Sequence, residues 1–122
     1  LILVDTSVWV GHLRASDETL VGLLDAGMVL AHPFVVGELA LGTLTQRGTV
    51  LEALSDLPRA VVATDGEVLH LIDRHRLFGR GVGYIDIHLL AAVRLTAGAA
   101  LWTHDKRLHG VAVQLGLAMA RP

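Results

Sequence analysis

Leu1-Ile2-Leu3-Val4-Asp5-Thr6-Ser7-Val8-Trp9 opens the chain with four apolar residues, an acid and two hydroxyl side chains. The unbroken apolar run reads as a strand buried on both faces, as in a parallel sheet covered by helices. The runs Met28–Ala31, Arg59–Ala63, Ala99–Trp102 and, most weakly, Leu117–Met119 read the same way. Strands that alternate with helical patterns point to an α/β fold with right-handed crossovers. In such sheets ligands bind beyond the carboxyl ends of the strands. Asp5 directly follows the first run, and Asp105 follows the fourth by way of Thr103 and His104.

The intervening segments carry helix signals. Ser16 stands before Asp17 and Glu18, Leu20, Leu23 and Leu24 form a stripe, and Gly27 marks a stop. Pro33 suits the first turn of a helix bearing Val36, Leu39 and Ala40. Thr49 with Glu52, and Thr64 with Glu67, both have the spacing of a capping box. A last long helix is expected from Tyr84 to Thr96, closed by Gly98.

At 122 residues the chain reads as a single domain spanning 1–122, and 52% apolar against 18% charged residues gives it a real core rather than disorder. No run approaches the roughly 18 apolar residues of a spanning helix, and no basic, apolar leader opens the chain. It reads as soluble and cytoplasmic. Zero cysteines exclude disulfides, thiolate metal sites and a cysteine nucleophile. A net charge of −2 argues against nucleic-acid binding at first sight. With Asp5, Glu38, Asp86 and Asp105 assigned to a metal site, eight of the twelve acids remain against ten Lys and Arg. That balance permits an RNA surface.

Each of those four acids also has an ordinary explanation. Asp5 suits a helix N-cap. Glu38 lies in Phe34-Val35-Val36-Gly37-Glu38-Leu39-Ala40-Leu41, with no Lys or Arg three or four residues away; it is either a lone surface acid or a buried one with a cation beside it. Asp86 suits the dipole of a helix start, and Asp105 a turn or cap. Together, hard oxygen donors at strand ends and helix starts point to Mg²⁺ or Mn²⁺.

Asp5-Thr6-Ser7-Val8-Trp9, the mid-helix Glu38, Gly83-Tyr84-Ile85-Asp86-Ile87-His88-Leu89-Leu90-Ala91-Ala92 and Leu101-Trp102-Thr103-His104-Asp105-Lys106-Arg107-Leu108 together resemble the PIN-domain ribonucleases, and within them the VapC toxins of toxin–antitoxin pairs. The resemblance spans essentially the whole chain. It implies a three-layer sandwich around a parallel sheet of order 3-2-1-4-5, with Asp5 beside Asp105. It also implies a metal-dependent endoribonuclease acting on tRNA or rRNA, usually a homodimer, neutralised by a VapB-like antitoxin. By position, Asp5, Glu38 and Asp86 match the core acids and Asp105 the more variable fourth, while Thr6 and Thr103 match hydroxyls that orient the carboxylates. Asp5 and Asp86 are the expected metal ligands, with Glu38 and Asp105 holding waters or a second ion, or accepting a proton.

Other features carry less. Arg74, Arg76 and Arg80, with His75, form a basic segment that reads either as a solvated helix end or as an RNA phosphate contact. No zinc-ligand spacing occurs among the seven His, and the glycines lack a Walker pattern. His88 and His104 read better as structural or solvated than as phosphate ligands, and Trp9 and Trp102 as core or dimer-interface residues. The competing functional class is a catalytically silent PIN module that binds RNA or protein. An aspartyl phosphatase needs a second acid where Ser7 stands, and a receiver needs an acid pair after the first strand.

Overall fold

In a computed structural model, which describes residues 1–120, three strands form a parallel sheet. They are β1 (Ile2–Val4), β2 (Val29–Leu30) and β3 (Ala100–Trp102), in the order β2-β1-β3. Successive residues Leu3 and Val4, Val29 and Leu30, and Leu101 and Trp102 are all buried. Side chains alternate faces along a strand, so both faces of the sheet are covered and the unbroken apolar runs are explained. Seven helices supply that cover: α1 (Thr6–Arg14), α2 (Glu18–Asp25), α3 (Pro33–Leu41), α4 (Arg47–Ser55), α5 (Asp65–His75), α6 (Tyr84–Leu95) and α7 (Lys106–Gln114).

The expected third and fifth strands are reduced to single bridges, Arg59 beside Ala31 and Ala118 beside Leu101. The positions follow the 3-2-1-4-5 order, but five full strands do not form. Val61 shows why on one side: its N–H donates to the Thr96 hydroxyl at 2.9 Å instead of to a neighbouring strand. On the other side the chain turns at Gly116, at φ +71°, and pairs with β3 through Ala118 alone among the described residues.

Helix starts follow side-chain chemistry. Thr64 and Glu67 form the expected capping box, at 3.1 and 2.9 Å. Pro33 opens α3, with His32 as the cap: its Nδ1 accepts the Phe34 N–H at 3.1 Å. The cap of α2 is Asp17, one residue past Ser16; it accepts the Leu20 N–H. Gly27, at φ +68°, ends α2 in the left-handed region where a side chain would be strained. The second expected capping box does not form. Helix α4 has already begun at Arg47, whose guanidinium reaches back to the Ala40 carbonyl at 3.2 Å, and Thr49 lies inside it. Among the described residues no helix is long and apolar enough to cross a membrane.

The two threonines therefore separate in a stability measurement. Thr64→Ala should cost about 1 kcal/mol, the usual worth of an N-cap. Thr49→Ala, exposed in a helix interior, should stay within about 0.5 kcal/mol. Urea midpoints check this, and equal losses would place a cap at Thr49 after all.

Candidate active site

The register of β1 on β3 builds the centre of the site. Ile2, Leu3 and Val4 pair with Ala100, Leu101 and Trp102, and the ladder continues one step further, with the Asp5 N–H donating to the Trp102 carbonyl at 2.9 Å. Asp5 thus stands next to Thr103. It is 6% exposed, and three donors satisfy its carboxylate. The Thr6 N–H reaches Oδ1 at 2.8 Å, while the hydroxyls of Ser7 and Thr103 reach Oδ2 at 2.8 and 2.7 Å. Asp5 is also the N-cap of α1, as its ordinary reading expects.

Thr103 extends the construction to the next acid. Its oxygen accepts the Asp105 N–H at 3.0 Å, and Asp105 caps α7 by accepting the Leu108 N–H at 2.9 Å. Thr6 does the same for α3, its hydroxyl donating to Glu38 Oε1 at 2.7 Å. Glu38 is exposed, so its partner is this hydroxyl rather than the cation that burial would have required.

Asp86 completes the group from the first turn of α6. Its carboxyl is pushed up to about 6 from 3.8, first by burial, then by the charges of Asp5 and Asp105 and, more weakly, Glu38; a backbone hydrogen bond from Gly83 opposes the rise. The four acids therefore share one electrostatic neighbourhood, although they come from four separate stretches of chain. The one contact between a carboxylate and a basic side chain within 4 Å among the described residues, His88 with Asp65, involves none of them.

Ser7 was not singled out by its sequence. It accepts the His104 N–H at 3.1 Å and lies 3.4 Å from the Thr103 hydroxyl, contacts across some 97 residues that only the register reveals. Arg107 is a second addition. Its guanidinium lies across Gly81, where a Cβ would meet Nη1 at 2.6 Å and where φ is +75°. The basic segment, by contrast, disperses. Arg74 lines a groove with Arg94, eight residues or about 12 Å along α6 from Asp86. Arg76 takes a left-handed conformation at the end of α5, and Arg80 donates to Gln114 at the far end of α7 from Asp105. Trp9 and Trp102 are core residues, and the His88 ring is buried.

The donor set suits a hard divalent cation in kind and in charge: carboxylate and hydroxyl oxygens, mutual repulsion and no basic partner. Among the described residues, no three acidic or imidazole groups close on one point tightly enough to hold a metal by themselves. Mg²⁺ is compatible with so open a ring, since it usually keeps several waters and takes only one or two carboxylates directly.

A strand-end acid, its hydroxyl supports, two further acids at helix starts and one within a helix, on an α/β sheet, define a class, and comparison agrees. Residues 2–114 match the PIN domain family, and the chain belongs to that family, in its VapC branch. It is 51% identical over 120 residues to ribonuclease VapC32 of Mycobacterium tuberculosis, in strains CDC 1551 and H37Rv alike, covering 98% of this chain and 97% of each relative. No solved structure matches the chain.

Asp86 has a raised folded-state value, so its ionisation favours the unfolded chain. The penalty is absent below pH 3.8, grows as pH rises and is complete above about 6. In the presence of a chelator, Asp86→Asn should therefore raise the melting temperature above pH 6 and lose that gain toward pH 3.8. Calorimetric melts across this range check it; a gain independent of pH would trace to packing instead of charge.

Proposed function

We propose that this chain is a metal-dependent endoribonuclease toxin that hydrolyses RNA phosphodiester bonds, with tRNA or rRNA as its substrate. The observation that carries the reading is Asp86, whose carboxyl is held up first by burial and then by the charges of Asp5, Asp105 and Glu38, with no basic side chain to relieve it. Such a cluster calls for a cation, and the relative named ribonuclease VapC32 supports the chemistry.

Asp5 and Asp86 would hold Mg²⁺ or Mn²⁺, with Glu38 and Asp105 reaching it through water. The bound ion would stabilise charge on the phosphate and acidify a water near neutral pH. Ser7 and Thr103 fix the orientation of Asp5 through hydrogen bonds to its Oδ2. Thr6 occupies Glu38 Oε1 and leaves Oε2 to take the proton of the attacking water. Arg74, Arg76 and Arg80 stand apart from the acids, so in this reading they meet flanking phosphates. The partners are a cognate VapB-like antitoxin and a second copy of the chain, in a cytoplasmic setting.

Purified protein should cleave RNA with Mg²⁺ or Mn²⁺ and stop on addition of EDTA. Asp5→Asn and Asp86→Asn should each lower the rate by roughly a hundredfold or more, and Thr103→Val by roughly 10–100-fold as a loss of ligand orientation. Wild-type rates in either Asp variant, with the fold intact by circular dichroism, would overturn the site assignment, whereas no metal-dependent cleavage by the unaltered protein would make the chain a silent RNA- or protein-binding module. Growth arrest on expression, relieved by coexpressed antitoxin, tests the toxin assignment separately.

A further inference from the structure

Four acids that repel one another also repel RNA, so a substrate of that kind needs positive charge near the site that the acids do not themselves consume. Arg107 is placed to supply it. It stands in the first turn of α7, two residues after Asp105, and its side chain lies across the loop that leads to Asp86. The Cβ that Gly81 lacks would fall 2.6 Å from Nη1, 3.1 Å from Cδ and 3.2 Å from Cζ. The guanidinium thus occupies the room of a missing side chain and rests against bare backbone. Two residues further on, at most about 7 Å along the chain, a Cβ on Gly83 would stand 3.6 Å from Asp86 Oδ2.

What holds Arg107 is packing alone. Arg47, Arg80 and Arg94 each meet a hydrogen-bonding partner. Arg107 is exposed, and among the described residues it has no hydrogen-bond acceptor and no carboxylate within 4 Å. No basic side chain, Arg107 included, relieves the raised carboxyl of Asp86. The same loop is clipped to the far end of α7, where Arg80 donates to Gln114 at 2.8 Å. An arginine fixed in place with its donors unspent is prepared for an anion, and its planar fork matches two oxygens of a phosphate. Glycines on both sides of Val82 let a sugar–phosphate chain approach the backbone closely.

We propose that Arg107 is a substrate-binding residue which grips an RNA phosphate beside the scissile one, with Gly81 as the seat that holds its guanidinium ready. The contact rests on the nuclease reading above and adds to it the group that offsets the repulsion between the acids and the RNA backbone.

Fluorescence anisotropy with a short, fluorescein-labelled single-stranded RNA of mixed sequence tests this, in EDTA so that nothing is cut. Arg107→Met keeps an apolar stem across Gly81 and removes the charge. It should weaken binding roughly tenfold and lower the slope of log Kd against log salt by about 0.7, the share of one phosphate. Arg107→Lys should recover most of that slope. Gln114→Ala is the structural control: it releases Arg80 and loosens the loop without removing charge, and its slope should match wild type. With Mg²⁺ present, Arg107→Met should raise KM roughly tenfold and hold kcat within about twofold. An unchanged slope in Arg107→Met, or a fall in kcat at constant KM, would make Arg107 a packing residue of the loop and overturn the proposal. Wild type that binds no RNA would overturn it too. If wild type binds RNA but cuts none with Mg²⁺ or Mn²⁺, the nuclease reading fails, and the slopes still decide whether Arg107 holds a phosphate.

Discussion

Asp5 is a carboxylate placed at the end of an apolar strand, almost out of contact with water, and the site is organised around meeting its two oxygens there. An unpaired buried charge costs far more than a domain's spare stability, so each oxygen must be met. Backbone pairing supplies the solution. Because the β1–β3 ladder runs one step past the strands, Thr103 arrives beside Asp5 with its hydroxyl 2.7 Å from Oδ2. The same Thr103 oxygen then takes the Asp105 N–H, and Thr6, next to Asp5, reaches across to Glu38. Three acids are thereby placed by one parallel register and two hydroxyls.

Asp86 stands outside that hydrogen-bonded frame and meets it through charge. It occupies the first turn of α6, where the helix dipole favours an anion, yet burial and the other acids outweigh this and push its carboxyl up to about 6. A fold selected for stability alone would place a neutral residue here. The retained repulsion is local strain of the kind that functional sites hold, relieved when positive charge enters the ring. In the proposed reading a divalent cation supplies that charge.

The inner sheet was legible because burial on both faces writes a continuous apolar run, and β1, β2 and β3 all fall within such runs. The outer positions were less so. Val61 and Val62 look like strand residues, yet both are exposed, and Val61 spends its N–H on Thr96. The acids could be read because strand ends and helix starts leave local signatures. Ser7 could not, since its role depends on His104 and Thr103 arriving from the other end of the chain. Arg74, Arg76 and Arg80 read as one basic segment because they are close in sequence, yet the end of α5 and the left-handed Arg76 turn them apart. The Thr49–Glu52 spacing is equally that of two neighbours along a helix, and the Arg47 bond to Ala40 settled which applied.

The central claim is that these four carboxylates form one cation site. Anomalous diffraction from crystals grown with Mn²⁺ tests it most directly. The account predicts a peak between Asp5 and Asp86, with Glu38 and Asp105 around it, directly or through water. A peak elsewhere on the molecule, or none at saturating Mn²⁺, would contradict it.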